Sequence, residues 1–166
     1  MRIILAYLSI IALLVGCSLA KYPKVSISHD DLTELYIGFN LELLDRGIPI
    51  PNDYRMVIRY DEKLSSGYHG ICEDWYFDGD VRFIRIQPAS RSKNDLVQLV
   101  YHELAHCILD IQHNNALDSL GNPVSIMHEH KFVEDFLERY EYYVNELLGC
   151  PKMDAPNSKT LNYGNR

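Results

Sequence analysis

The stretch on which the reading turns is LVYHELAHCILDIQH, residues 99–113, which carries three of the chain's seven histidines. On an α-helix His102 and His106, four apart, stand ~40° around and ~6 Å along from each other, so both imidazoles reach one ion. Glu103 lies ~100° round from His102, beside the ligand direction rather than on it, where a base acting on a metal-activated water belongs. The spacing HExxH therefore carries a mechanism. Two neutral imidazoles hold Zn2+, the ion lowers the pKa of its water toward ~7, and the glutamate takes the proton and later delivers it to a leaving amine. A catalytic zinc usually keeps three protein ligands, so a third is required, and His113 is the nearest. On an unbroken helix His113 would stand ~10.5 Å beyond His106 along the axis, out of reach. The helix is therefore predicted to end near Leu109 or Asp110 and the chain to fold back, although no glycine marks the stop. Glu134 and Glu138, four apart on the next predicted helix, are the competing third ligands; their plainer reading is a solvated acidic face.

Outward from this stretch, SKNDLVQLVYHELAHCIL is the best-patterned helix of the chain, with Ser92 or Asn94 as its cap and Leu96, Leu99, Val100, Leu104 and Ile108 on an apolar stripe. SHDDLTELYIGFNLELLDRG reads as an earlier packing helix, with Ser28 as N-cap, His29 as part of the cap, Asp30 and Asp31 in the first turn and Gly47 as its stop. Alternation predicts strands over Tyr54 to Tyr60 and from Val81 to Ile86, the second ended by Pro88, pairing as one small sheet. SSGYHGICEDWYFDGD between them reads as a glycine-bearing loop, in which His69, with Tyr68 and Trp75, would form a cleft rim. The turn-rich HNNALDSLGNPVSIM follows the central helix, and Glu129 to Leu148 returns to helical spacing through Phe132, Phe136, Tyr140, Tyr143 and Leu147, with Gly149 and Pro151 as its end.

A chain of 166 residues supports one core, and no internal repeat is present. Lys and Arg total 16 against 23 Asp and Glu, a net charge of -7, with no basic cluster interleaved with aromatics, so nucleic acid is excluded as a partner. At the start, Arg2 precedes an apolar run from Ile3 to Val15, too short for the ~20 residues of a spanning helix but fitting a secretory signal. LVGC, Leu14 to Cys17, resembles the lipobox of bacterial lipoproteins, which implies cleavage before Cys17 and lipidation of its thiol. The plainer readings are an uncleaved anchor or an ordinary signal with a chance cysteine. The expected organisation is a signal peptide over 1–16, a lipidated tether over 17–27, one domain over 28–149 and a tail over 150–166. The mature chain would be exported and anchored to the cell envelope, at the outer membrane if the cell has one. An oxidising setting would allow one bridge among Cys72, Cys107 and Cys150. Cys107 points to a different side of the helix from His106, which argues against a shared ion. Cys72 with Cys107, tying the loop to the active helix, is the preferred pairing and Cys72 with Cys150 the alternative, and the sequence does not choose between them.

HELAHCILDIQH followed by SIMH resembles the metzincin clan of zinc metallopeptidases, with their HExxHxxGxxH motif and downstream Met-turn. The resemblance runs from about Ile71 to Phe136 and is strong only at these two motifs. It implies His102, His106 and His113 as ligands of one Zn2+ per chain, Glu103 as general base and Met127 as the Met-turn methionine. Two departures stand out. Leu109 and Asp110 replace the helix-ending glycine, with the third histidine one residue late, and Glu129 stands where a tyrosine often follows the Met-turn. His128 and His130 are candidates to meet a transition-state oxyanion in its stead. The shifted spacing also resembles small bacterial metallopeptidase-like lipoproteins with HELGHC-type motifs. The fold implied is a minimal α+β zincin: a small twisted sheet, a packing helix, an active-site helix and a C-terminal helix. The activity implied is hydrolysis of peptide or protein substrates, as an endopeptidase rather than an exopeptidase. The substrate would lie extended beside the sheet edge, which Arg82 to Gln87 is expected to form. The alternatives are a non-catalytic surface lipoprotein that keeps the fold as a binding module, and a metal-dependent amidase of cell-wall peptides.

Overall fold

Alternation of apolar residues along the strands gives the sheet one buried face. In the computed structural model, which describes residues 24–51, 55–65, 67–75, 81–88 and 91–149, the elements begin with β1 (Lys24–Ile27), α1 (Asp30–Asp45) and β2 (Arg55–Tyr60). They continue through β3 (Gly70–Trp75), β4 (Val81–Ile86), α2 (Lys93–Leu109) and α3 (Tyr140–Leu148). The sheet order is β1-β2-β4-β3, with β1, β2 and β4 mutually parallel and β3 antiparallel to β4 at the edge. The class is α+β.

Register explains which face meets the helices. Ile58 lies beside Ile84, which in turn faces Cys72, and Ile86 faces Gly70, so these side chains share one face of the sheet. Met56, Ile58, Ile84 and Ile86 are fully buried in a core with Phe39 and Leu43 of α1 and Val100 and Leu104 of α2. The opposite face carries Arg85, paired with Glu73 at 2.6 Å and Asp61 at 3.1 Å. Hydrophobic residues therefore drive α1 and α2 onto one side, as the alternation demands.

Four expectations are corrected. Lys24–Ile27, read as the end of a tether, pairs with β2 in parallel and is a strand. Gly70–Trp75, read as loop, is β3, so β4 lies inside the sheet and Arg82 to Gln87 is not its edge. α1 starts after His29, not Ser28, as N-cap; the Ser28 hydroxyl instead meets His29 Nδ1 at 2.6 Å. The C-terminal helix begins only at Tyr140. The segment before it is a run of turns fastened to α2: the Val133 N–H donates to Gln98 Oε1 at 2.8 Å, the Leu137 N–H donates to Asn94 Oδ1 at 3.0 Å and Asn94 Nδ2 donates to the Val133 carbonyl. With those backbone groups held by α2, the helical pattern does not propagate. The proposed signal peptide, Cys17 and Cys150 lie outside the described residues, among which no helix is long and apolar enough to cross a membrane.

Candidate metal centre

The centre is built on α2. Ser92 caps its first turn, its hydroxyl accepting from the Asp95 N–H at 3.1 Å. Its last turn ends at Leu109 because Asp110 adopts the left-handed conformation (φ 55), doing what a glycine does at most helix ends. The Asp110 N–H donates to the His106 carbonyl at 3.1 Å and the Ile111 N–H to that of Ala105 at 3.3 Å, so the final carbonyls are satisfied by the residues that reverse the chain. Beyond them His113 opens a two-legged loop: the Asn114 N–H donates to the Met127 carbonyl at 2.9 Å, and Leu117 bridges to Pro123. The reversal brings His113 back to the helix.

Three Nε2 atoms converge. His102 and His106 approach to 3.0 Å, His106 and His113 to 3.1 Å, and His102 and His113 to 3.3 Å. The contact between His102 and His106 is not a hydrogen bond. His102 Nδ1 donates to the Ile126 carbonyl at 2.7 Å and His106 Nδ1 to the Ile111 carbonyl at 2.5 Å, so in the neutral rings both Nε2 atoms carry lone pairs. Lone pairs aimed at one another from 3.0 Å repel unless a cation stands among them. A tetrahedral ion with bonds of ~2.0–2.1 Å to nitrogen places its ligands ~3.3 Å apart, close to the triangle found. The three histidines fit a metal ion, and they form one donor group among the described residues. Glu134 and Glu138 are exposed and stand outside that group. Burial, helped by the neighbouring His106 and His113, holds the His102 pKa down to about 4, and burial lowers that of His106. Both rings are thus kept in the ligand form.

Glu103 packs against β3 and lines the same cleft as the three histidines. It is 5% exposed, and desolvation raises its pKa to about 8 against a hydrogen bond from the Cys72 N–H. Met127 is buried, its N–H donating to Ser125 Oγ at 3.1 Å. The Ile126 carbonyl that fixes His102 comes from the same turn. Cys72 and Cys107 are joined by a disulfide between β3 and α2. A cleft of about 400 Å³ runs between β3 and the loops, and His102, Glu103, His106, His113, His128 and His130 line it together with His69 and Tyr68. His69 Nδ1 meets Arg91 at 2.7 Å, and its ring lies 5.5 Å from that of Phe132. His128 is half-buried and its Nδ1 accepts from the His130 N–H at 3.1 Å, which leaves its proton on Nε2; His130 is exposed beside Glu129.

Sequence reasoning passed over Gly70, Gln98 and the Ile111 and Ile126 carbonyls. Of these only Gly70 is a residue type that can itself mark a close approach of another chain segment. The backbone carbonyls leave no trace in side-chain chemistry. Among protein-family models, curated proteins and solved structures, none matches this chain.

Proposed function

We propose that the protein is a zinc-dependent metallopeptidase of metzincin-like, minimal zincin architecture, exported and held at the cell envelope through Cys17. The observation that carries this reading is the convergence of three Nε2 atoms, two of them on the helix that also bears a buried glutamate. His102, His106 and His113 would hold the ion. Zinc rather than a harder cation suits three neutral nitrogens, and when bound it supplies Lewis acidity without redox chemistry.

The remaining work belongs to the chain. Glu103 takes the proton from the attacking water and hands it to the nitrogen of the departing amine; burial holds this carboxyl protonated in the metal-free protein, and a cation bound beside it would lower its pKa into the base form. The substrate's carbonyl carbon gains the water oxygen and the C–N bond breaks. His128, protonated on Nε2 and lining the cleft, would donate to the carbonyl oxygen as charge develops there. β3 is the edge strand, and the Gln87 N–H bond to the His69 carbonyl sets the alternation by which Gly70, Cys72 and Asp74 turn their backbone groups away from β4, the Cys72 N–H being taken by Glu103. An extended peptide adds to that edge and lies across the cleft. A peptide paired with β3 on both sides of the scissile bond would be cleaved within the chain rather than trimmed at its ends.

The test joins metal analysis to hydrolysis of a pool of unfolded proteins and cell-wall peptides. The reading requires about one zinc per chain, loss of cleavage on chelation with recovery on zinc return, and a fall in kcat of ~10²–10⁴-fold in Glu103→Gln with metal retained. Full cleavage after chelation, or in Glu103→Gln, would overturn it. Bound zinc without cleavage of any substrate would identify a binding module.

A further inference from the structure

The motif HELAHC contains two helical pairs four residues apart, and they face different ways. His102 and His106 point at the ion site, while Glu103 and Cys107, ~100° round, both point at β3. On the strand, Gly70 and Cys72 alternate onto the face that meets α2. A Cβ at Gly70 would stand 2.6 Å from Glu103 Oε1, 2.9 Å from its Cγ and 3.0 Å from its Cδ. The carboxyl therefore occupies the volume that any side chain at 70 would need. Gly70 is not in the left-handed region, so the glycine is there for space and not for backbone freedom. Two residues on, the outward Cys72 N–H donates to the same carboxyl, and the Cys72 sulfur is bonded to Cys107, one turn beyond Glu103. Space, hydrogen bond and covalent tie converge on one side chain.

We propose that Gly70 and Cys72 are positioning residues for Glu103: β3, locked to α2 by the Cys72–Cys107 bond, is a socket that aims the carboxyl, and the metal tripod stands independently of it. This rests on the peptidase reading above. The independence follows from where the tripod is braced, since the Ile111 and Ile126 carbonyls and the Asn114 bond to Met127 all come from segments other than β3. A peptide laid on β3 is then fixed against the base by the same strand that aims it, which ties the attack direction to substrate register.

The experiment compares full-length wild type, Gly70→Ala and the double variant Cys72→Ser with Cys107→Ser, each checked for folding by thermal melting. Zinc stoichiometry should be unchanged and affinity should hold within ~3-fold, while kcat falls ~10²-fold with little change in KM, the loss expected of a base misplaced by about 1 Å. An independent readout is hydrogen exchange at residue 72. An outward amide on an edge strand exchanges fast unless it is bonded, so this amide should be protected in wild type and exchange ~10-fold or more faster in Glu103→Ala and in the double variant. Unchanged kcat in both variants, zinc affinity falling in step with kcat, or an unprotected residue 72 amide in wild type would each overturn the socket. If wild type cleaves nothing, the peptidase reading fails, and the exchange measurement still decides the socket.

Discussion

At Glu103 two environments compete, since water is excluded by the strand above it while a single backbone N–H favours its charge. Burial wins, and the consequence is a pH dependence of stability in the metal-free protein. The native carboxyl keeps its proton up to about 8 and the unfolded one loses it near 4.5, so between those values the native state binds more protons and stability falls as pH rises. His102, lowered from 6.5 to about 4, acts in the opposite sense, losing stability as pH falls through that range. The two offset each other from about 4.5 to 6.5, His106 acting in the sense of His102 and Glu146 in that of Glu103, and above that range Glu103 is no longer opposed by His102. Urea unfolding under chelation should therefore show declining stability from pH 6.5 to 8, and Glu103→Gln should abolish the decline; an equal slope in both proteins would locate the proton elsewhere. The identities of the histidines and of this glutamate were legible because periodicity alone places them side by side. What fixes them was not, because it is backbone: the Ile111 and Ile126 carbonyls and the Cys72 N–H belong to no residue type.

Among the elements, the end of α2 decides whether His113 can reach the ion. Asp110 bears the left-handed conformation that turns the chain, a state that costs an ordinary residue ~1 kcal/mol or more and a short polar one less. Asp110→Gly should keep or slightly raise stability, whereas Asp110→Val should cost ~1–2 kcal/mol and weaken zinc binding, since a branched side chain resists the turn. Calorimetric zinc titration and chemical unfolding of the two variants check this, and equal behaviour would show that the turn does not depend on residue 110. The need for such a reversal was readable from helix rise; the residue performing it was not, as aspartate is only an occasional substitute for glycine. β3 was hidden for a related reason. Its sequence, GICEDW, begins with a glycine and carries two acids, a poor strand by propensity, and it forms because Glu73 pairs with Arg85 while Cys72 is tied to Cys107. The shortened α3 shows the converse, a good helical period overruled by the Asn94 and Gln98 side chains that take its backbone groups.

Over the whole molecule, an α+β class follows from helical and alternating patterns occurring in one chain, but the order β1-β2-β4-β3 does not, because insertion of β4 between β2 and β3 is settled by tertiary contacts. Two ties then act on this fold at different places. The disulfide closes a loop of 35 residues and joins sheet to helix, a constraint worth about 3–4 kcal/mol in the chain-entropy account. It leaves the loop from His113 to Met127 untouched, and that loop exposes Leu117 and Leu120 and contributes Ile126 and Met127 to the core. The ion would be the second tie, holding the loop to α2 through His113. Because only the native state brings the three histidines together, free zinc at a hundred times its dissociation constant should add ~2.7 kcal/mol to unfolding stability. His113→Ala should leave the metal-free protein nearly as stable as wild type, since that ring is exposed, yet remove most of the zinc-dependent gain. Unfolding curves with and without zinc separate the two quantities. A His113→Ala protein stabilised by zinc as strongly as wild type would mean that the ion is held without the returning histidine, and the loop would then need another reason to fold back.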